Sequence, residues 1–349
     1  MAYSAAMKPI RWGIVGCGDV CEVKSGPALQ KAEGSELVSV CRRQADKAED
    51  FAERHGVPKW TADAQALIDD SEVDAVYVAT PPGSHLDFAR RVAAAGKPCY
   101  MEKPMARTHA ECVAMNEAFA ETRQKLFVAY YRRRLPRFVA VNQWIEAGRL
   151  GRVTSVDLVF AADTMLKLDP DNPLWRVEAV HAGGGLFFDM GSHALDVLDM
   201  LLGPVREAEG AARRSLGGAG VEDRVSAHLA FDHGVTGTGL WDFASGDSAD
   251  RVTIRGTRGG VSFAVFHHAK VTLRIDGQES LHEFPDPPHV HQPLVQAVVD
   301  ELHGKEASPS TGASAARTSA VMDGLTRDYY GGREEGFWDR PGTWAPFNN

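Results

Sequence analysis

Short apolar runs rich in β-branched residues alternate with amphipathic stretches through the first third of the chain. Ile10–Val15, Leu37–Cys41, Ala75–Thr80, Cys99–Met101 and Leu126–Ala129 read as strands. Ala45–His55, Ser84–Ala95 and Thr108–Thr122 repeat their apolar positions at helical spacing, and another helical stretch runs toward Ala32. Strands alternating with helices of roughly 10–15 residues predict βαβ units and a parallel sheet. Nearly every strand position is apolar, as a sheet covered by helices on both faces requires.

The pattern changes after about Tyr130. A helix over Phe138–Ala147 leads into a strand over Val153–Ala161, and Gly191–Leu202 has the spacing of a helix. Strands then dominate. Val225, Ala227, Leu229 and Phe231 alternate with polar neighbours, the period of a half-buried strand. Asp232-His233-Gly234 predicts a turn and Val235–Trp241 the return strand. Val252–Arg255, Val261–Phe266 and Val271–Ile275 add three more, with Gly256–Gly260 as a turn. Pro285–Pro288 reads as a loop, Leu294–Leu302 and Ala313–Asp328 as helices, and Ala307–Ala316 as a surface loop entering the last helix. The expected fold class is α/β. A doubly wound parallel sheet occupies residues 1–130, and an α+β domain with a large, mostly antiparallel open sheet occupies 131–349.

Composition narrows the function classes. Of 349 residues, 44% are hydrophobic and 24% charged, which is globular usage. The 38 Lys and Arg against 47 Asp and Glu give a net charge of −9, and neither half is basic, so a nucleic-acid partner is not expected. No apolar run reaches the length of a membrane span. The five cysteines (Cys17, Cys21, Cys41, Cys99 and Cys112) are odd in number and have no zinc-like spacing, which argues against a disulfide framework. Met1–Met7 has no charged run of the signal-peptide kind, so the expected compartment is the cytoplasm.

The candidate chemistry begins after the first strand, at Gly16-Cys17-Gly18-Asp19-Val20-Cys21. Gly16 permits the tight turn, Gly18 lets backbone N–H groups approach a pyrophosphate, and the helix N-terminus favours its charge. The third position of this dinucleotide fingerprint is Cys21 instead of Gly or Ala. The second strand ends in Cys41-Arg42-Arg43 where an acid would accept ribose hydroxyls. Two arginines there suit a 2′-phosphate, so NADP is the expected cofactor and NAD the second choice.

Further segments converge on one family. Thr80-Pro81-Pro82-Gly83-Ser84-His85 follows one strand, and Met101-Glu102-Lys103-Pro104 follows the next. Gly183-Gly184-Gly185 precedes Asp189-Met190-Gly191-Ser192-His193, and Gly203-Pro204 follows that helix. With the glycine turn, these motifs resemble the glucose–fructose oxidoreductase/inositol dehydrogenase (Gfo/Idh/MocA) family of NAD(P)-dependent oxidoreductases, over essentially the whole chain. The resemblance implies a Rossmann domain for the dinucleotide and a C-terminal domain for substrate binding and oligomerisation. It implies a cofactor site at Gly16 and Gly18 with Lys103 near the nicotinamide, and a Lys103–Pro104 bond that is often cis. The residues themselves add Asp19, Val20, Arg42, Arg43, Thr80, Pro81 and Glu102 as candidate cofactor contacts, and His85 either lines the site or starts a helix. It assigns the catalytic roles to Lys103, Asp189 and His193. The departures, Cys21 and Arg42, concern helix-turn packing and the preference for NAD.

Oxidising a secondary alcohol needs a hydride acceptor and a base for the hydroxyl proton. His193 is the best base by its ordinary pKa, near ~6.5. Asp189 lies four residues earlier, so a helix carries both on one face. Lys103 would polarise the oxygen or join the proton relay, and Gly183–Gly185 would let substrate approach the backbone. Substrate contacts are expected from Lys103, Asp189, His193, Tyr130, Arg132 and Trp175. Asp196 on the same face as Asp189 and His193 raises a metal as a lesser reading, and no metal is expected. His267-His268 and His289-x-His291 read as loop or sheet residues. The expected activity is hydride transfer to or from a sugar, polyol or related cyclic alcohol (an EC 1.1.1-type reaction), in a homodimer or homotetramer. Two alternatives come with the family: NAD-dependent glycoside hydrolysis, and a non-catalytic nucleotide sensor.

Overall fold

The structure, a computed structural model, describes residues 8–169, 174–216 and 220–333. Met1–Met7, where no signal peptide is expected, lies outside them. The chain forms two compact units. The first takes the residues up to Met105, Glu111–Leu135 and Asp286–Ala313. The second takes Ala106–Ala110, Pro136–Pro285 and the residues from Ser314 onward.

The first unit holds a six-stranded sheet in the order β3-β2-β1-β4-β5-β6. Its strands are β1 (Ile10–Val15), β2 (Ser35–Cys41), β3 (Lys59–Thr61), β4 (Ala75–Val78), β5 (Cys99–Met101) and β6 (Leu126–Val128). Every pairing is parallel. This is the doubly wound order that places ligands beyond the carboxyl ends of the strands, where the chain order reverses between β1 and β4. The intervening helices are α1 (Gly26–Lys31), α2 (Ala45–His55), α3 (Ala64–Asp69), α4 (His85–Ala94) and α5 (His109–Glu121). Trp12, Tyr77 and Tyr100 are wholly buried between the layers, Trp12 edge-on to Tyr100 at 6.4 Å between ring centres. Sequence pattern alone misses β3 and α3. β3 is a three-residue edge strand with no apolar run, and an Asp63 carboxylate accepting from the Gln65 N–H at 2.8 Å starts α3.

The second unit holds an eight-stranded sheet in the order β14-β13-β12-β11-β7-β10-β9-β8. Its strands are β7 (Val153–Ala161), β8 (Val205–Arg213), β9 (Arg224–Phe231), β10 (Thr236–Asp242), β11 (Ala249–Gly256), β12 (Gly259–Phe263), β13 (Val271–Ile275) and β14 (Gln278–His282). All pairs are antiparallel except β7 with β10. The alternation read over β9 recurs in its burial: Val225, Ala227, Leu229 and Phe231 point inward, and Arg224, Ser226 and His228 outward. β8 and β14, the two edges, are the strands the pattern misses. Both are mostly solvent-exposed and carry no alternating run of large apolar residues. Helices α6 (Pro136–Glu146), α7 (Ala179–Ala182) and α8 (Ser192–Leu202) belong to this unit. The last two helices are α9 (Gln292–Leu302), in the first unit, and α10 (Gly312–Tyr330), almost all in the second.

Candidate functional site

Gly16 has φ +90°, and a Cβ there would lie 2.8 Å from Thr80 Cγ2. Its N–H donates to the Cys41 carbonyl at 2.8 Å, tying the turn to the end of β2. A Cβ at Gly18 would meet only the Gly16 carbonyl, at 3.9 Å, so the backbone there is open to approach. A helical turn begins at Asp19 and Val20 and passes through a π-helical turn, Cys21–Ser25, into α1. A turn with one tight glycine, one open glycine and a helix start fits a dinucleotide pyrophosphate.

Cys21 does not open this packing. It is buried, with Sγ 3.9 Å from the Gly16 carbonyl, and burial pushes its thiol pKa far up. The adjacent Cys17 is also buried, its pKa pushed up to about 11 mainly by desolvation. All five cysteines are free thiols. Arg42 sits over the turn, its Nη1 3.4 Å from the Cys17 carbonyl, while Arg43 is exposed.

The loops after β4 and β5 are pinned to each other. His85 is completely buried, with Nε2 2.7 Å from the Thr80 carbonyl and Nδ1 3.1 Å from the Met105 carbonyl. Burial lowers its pKa, and the two carbonyl acceptors oppose that shift. His85 is therefore a strut between the Thr80–Pro81 and Lys103–Pro104 loops. Thr80 Oγ1 accepts from the Ser84 hydroxyl at 2.8 Å.

The Glu102 carboxylate accepts from the Tyr77 hydroxyl at 2.6 Å and from the Lys103 N–H at 3.0 Å. Burial raises its pKa. The Lys103–Pro104 bond is cis.

Sequence pattern gave no warning of His291 at this place. It is buried, stacked on Tyr131 at 4.5 Å, with Nδ1 3.5 Å from the Tyr100 hydroxyl and Nε2 3.9 Å from Glu102. Desolvation, reinforced by Lys24, Lys103 and Arg132, lowers its pKa to about 3, so it is a neutral imidazole. Its partners are distant in sequence, so local spacing carries no signal for it. Its neighbour His289 bonds instead to the Val23 carbonyl at 2.6 Å. Tyr130 is fully buried, and Arg132 is buried with Nη1 donating to the Tyr131 hydroxyl at 2.9 Å.

In the second unit, Phe187–Gly191 forms a π-helical turn that runs straight into α8. π-turns of this kind are frequent at functional sites. Asp189 lies in the π-turn and His193 in the first turn of α8, so the helix expected over both is present with a widened start. Arg176 Nε lies 3.4 Å from Asp189 Oδ2, with its guanidinium 4.6 Å over the Trp175 ring. His193 is buried edge-on to Phe266, at 6.0 Å. Asp196 is also buried. Among the described residues no group of three or more His, Cys, Asp and Glu is arranged to hold a metal.

The triple glycine has a packing reason. Gly183 has φ +90° and no room beside the Arg107 carbonyl, 2.8 Å from an added Cβ. Gly184 faces the Phe188 ring and the Tyr330 hydroxyl, and Gly185 faces Glu222. His267 is exposed 3.2 Å from Asp250.

Comparison with known proteins agrees with this layout. Residues 10–130 match the model described as the oxidoreductase family with an NAD-binding Rossmann fold, and residues 138–262 match the GFO/IDH/MocA C-terminal domain. The chain is 37% identical to oxidoreductase P35 of Formosa agariphila, over 90% of this chain and 97% of that protein. It is 33% identical to inositol 2-dehydrogenase of Rhizobium meliloti, over 63% of this chain and 64% of that one. The structure of an aldose-aldose oxidoreductase from Caulobacter crescentus superposes with a TM-score of 0.81 at 24% identity, over 93% of this chain and 99% of that chain. The chain belongs to the GFO/IDH/MocA family of oxidoreductases. It is an NAD(P)-dependent oxidoreductase. No helix among the described residues is long and apolar enough to cross a membrane.

Proposed function

We propose that the chain transfers a hydride between NADP(H) and a hydroxyl or keto carbon of a sugar, polyol or related cyclic alcohol. The relative named inositol 2-dehydrogenase supports the substrate class. The observation that carries the reading is the loop after β5. There Lys103 leaves the carboxyl end of a parallel strand, with its backbone N–H held by Glu102, in the same sheet that carries the glycine turn. The first unit, which takes in Asp286–Ala313 beyond the expected 1–130, serves as the dinucleotide-binding domain, and the second as the substrate-binding and oligomerisation domain.

When bound, the nicotinamide accepts or supplies the hydride. The backbone of Gly16, Gly18, Asp19 and Val20 binds the pyrophosphate, and Thr80, Pro81, His85 and Glu102 shape the pocket for the ring. Arg42 and Arg43 hold a 2′-phosphate. Lys103 polarises the reacting oxygen. His193 takes the hydroxyl proton, and Asp189 orients the substrate. Tyr130, Arg132 and Trp175 complete the substrate contacts. The Arg42 position beside the glycine turn supports NADP over NAD. The protein works in the cytoplasm as a homodimer or homotetramer.

The test is a panel of sugars and polyols assayed with both cofactors, alongside dissociation constants for NADPH and NADH. Turnover with stoichiometric cofactor reduction and tighter binding of NADPH are expected. Substrate turnover without net cofactor reduction would overturn the dehydrogenase reading, and equal or tighter NADH binding would overturn the cofactor preference.

A further inference from the structure

A buried carboxylate in the second unit has no place in the chemistry above. Glu222 is completely buried. Its two oxygens lie 3.0 and 2.9 Å from the Gly185 nitrogen, whose N–H donates to them, and the Tyr330 hydroxyl donates to Oε2. Gly185 immediately precedes the helical segment that begins at Leu186 and passes through the Phe187–Gly191 π-turn into α8. The backbone there is shaped around the carboxylate: an added Cβ on Gly185 would run into the Glu222 carbonyl and sit 3.0 Å from Oε1. One glycine over, Gly184 lies against Tyr330 and Phe188.

We propose that Glu222 is a positioning residue that sets the axial placement of Asp189 and His193 by gripping the Gly185 amide at the head of their helix. The proposal rests on the reading that these two side chains carry the proton chemistry.

Three physical points support it. A buried carboxylate is weak evidence for stability, because well-packed apolar residues of similar volume often do as well, so its presence calls for another reason. A carboxylate at a helix N-terminus satisfies an orphan N–H and complements the helix dipole. A helix advances about 1.5 Å per residue, so a shift at Gly185 moves Asp189 and His193 with it as one body.

Among the described residues, few charged or titratable groups surround Glu222. Tyr329, Tyr330 and Arg333 face it from α10 and the residues just after, and its neighbours Arg214 and Asp223 act on Tyr329. Arg333 bonds to the Gly183 carbonyl and to Asp323, with its guanidinium 4.4 Å over the Phe188 ring. Burial pushes the Glu222 pKa up to about 7, against the bonds from Tyr330 and Gly185. Its proton is thus exchangeable near neutrality. Protonation converts one acceptor oxygen into a donor and slackens the grip on Gly185.

The test compares Glu222→Gln and Glu222→Ala in the full chain by steady-state kinetics and by NMR of 15N-glycine-labelled protein. In the wild type, one glycine amide titrates with a midpoint near neutrality, and Glu222→Gln abolishes that titration. Glu222→Ala lowers kcat roughly tenfold or more, the size expected when a reacting geometry slips by a fraction of an ångström, with cofactor KM unchanged. Glu222→Gln recovers most of the kcat but loses the pH dependence near neutrality. If both variants lower thermal stability while kcat and its pH profile stay those of the wild type, the residue is structural only and the proposal fails. If Glu222→Ala does not fold, the Gln variant and the amide titration decide. If the wild type turns over no polyol or sugar, the hydride-transfer reading fails instead, and the glycine titration still reports on the grip itself.

Discussion

The two units present their functional residues by different physical means. In the first, the parallel sheet does the work. Gly16, Thr80 and Lys103 all follow the carboxyl ends of β1, β4 and β5, and the loops are then pinned there: the Gly16 N–H on the Cys41 carbonyl, the Lys103 N–H on the Glu102 carboxylate, and the His85 ring between two carbonyls. In the second, the sheet is mostly antiparallel and offers no such rule. Asp189 and His193 ride on a helix whose start is set by buried side chains and by glycines that admit them. The lesson is that topology places the first set, whereas packing places the second.

Lys103→Ala has the largest expected effect. With its backbone anchors intact, the loss is confined to the ammonium group, and kcat falls by on the order of 10³ while cofactor affinity stays within about twofold. Kinetics together with cofactor titration checks this, and unchanged turnover would remove Lys103 from the chemistry. A matched pair of glycine substitutions comes next. Gly16→Ala forces a Cβ onto Thr80 and Ala79 at a positive φ, so cofactor Kd rises by roughly tenfold or more and about 1–3 kcal/mol of stability is lost. Gly185→Ala forces a Cβ onto Glu222, so kcat falls with cofactor Kd unchanged. If both variants had the same effect on Kd, the division between the units would be wrong.

Legibility in the sequence follows the same division. The βαβ rhythm and the Gly16 turn are local signals, and they located the first unit's sheet and its loops. The second unit's sheet was legible wherever a strand alternates, as β9 does, and not at its exposed edges β8 and β14, which lack large alternating apolar residues. Asp189 and His193 were legible only as a motif. Glu222 and His291 were not, because each is defined by partners far away in the chain: Gly185 and Tyr330 for one, Tyr131 and Tyr100 for the other. Gly183–Gly185 was visible as a motif, but the expected reason, approach of substrate, differs from the packing observed against Arg107, Phe188 and Glu222.

Arg42→Ala has a smaller effect, confined to the first unit. Removing one guanidinium from a 2′-phosphate contact weakens NADPH binding by about tenfold, the worth of a charge-assisted hydrogen bond, and leaves NADH binding unchanged. Equal losses for both cofactors, measured by fluorescence titration, would show that Arg42 supports the turn through the Cys17 carbonyl and does not read the phosphate.

The last effect is one of pH on stability, and it separates Glu222 in the second unit from the buried histidines of the first. Glu222 binds its proton more tightly in the folded chain, with a pKa near 7 against 4.5 for an ordinary Glu. Its contribution is therefore complete below pH 4.5 and is lost as pH rises toward 7. His291 and His85 act in the opposite sense. Their folded pKa values lie below the ordinary 6.5, so their contribution is complete above that value and is lost as pH falls. Glu222→Gln removes only the second unit's share. Relative to the wild type, the variant gains stability as pH rises from 5 to 8, by at most about 3 kcal/mol. Melting curves of the two proteins at matched pH values check this. Parallel curves would mean that Glu222 keeps an ordinary carboxylate pKa, and that the grip on Gly185 does not depend on its proton.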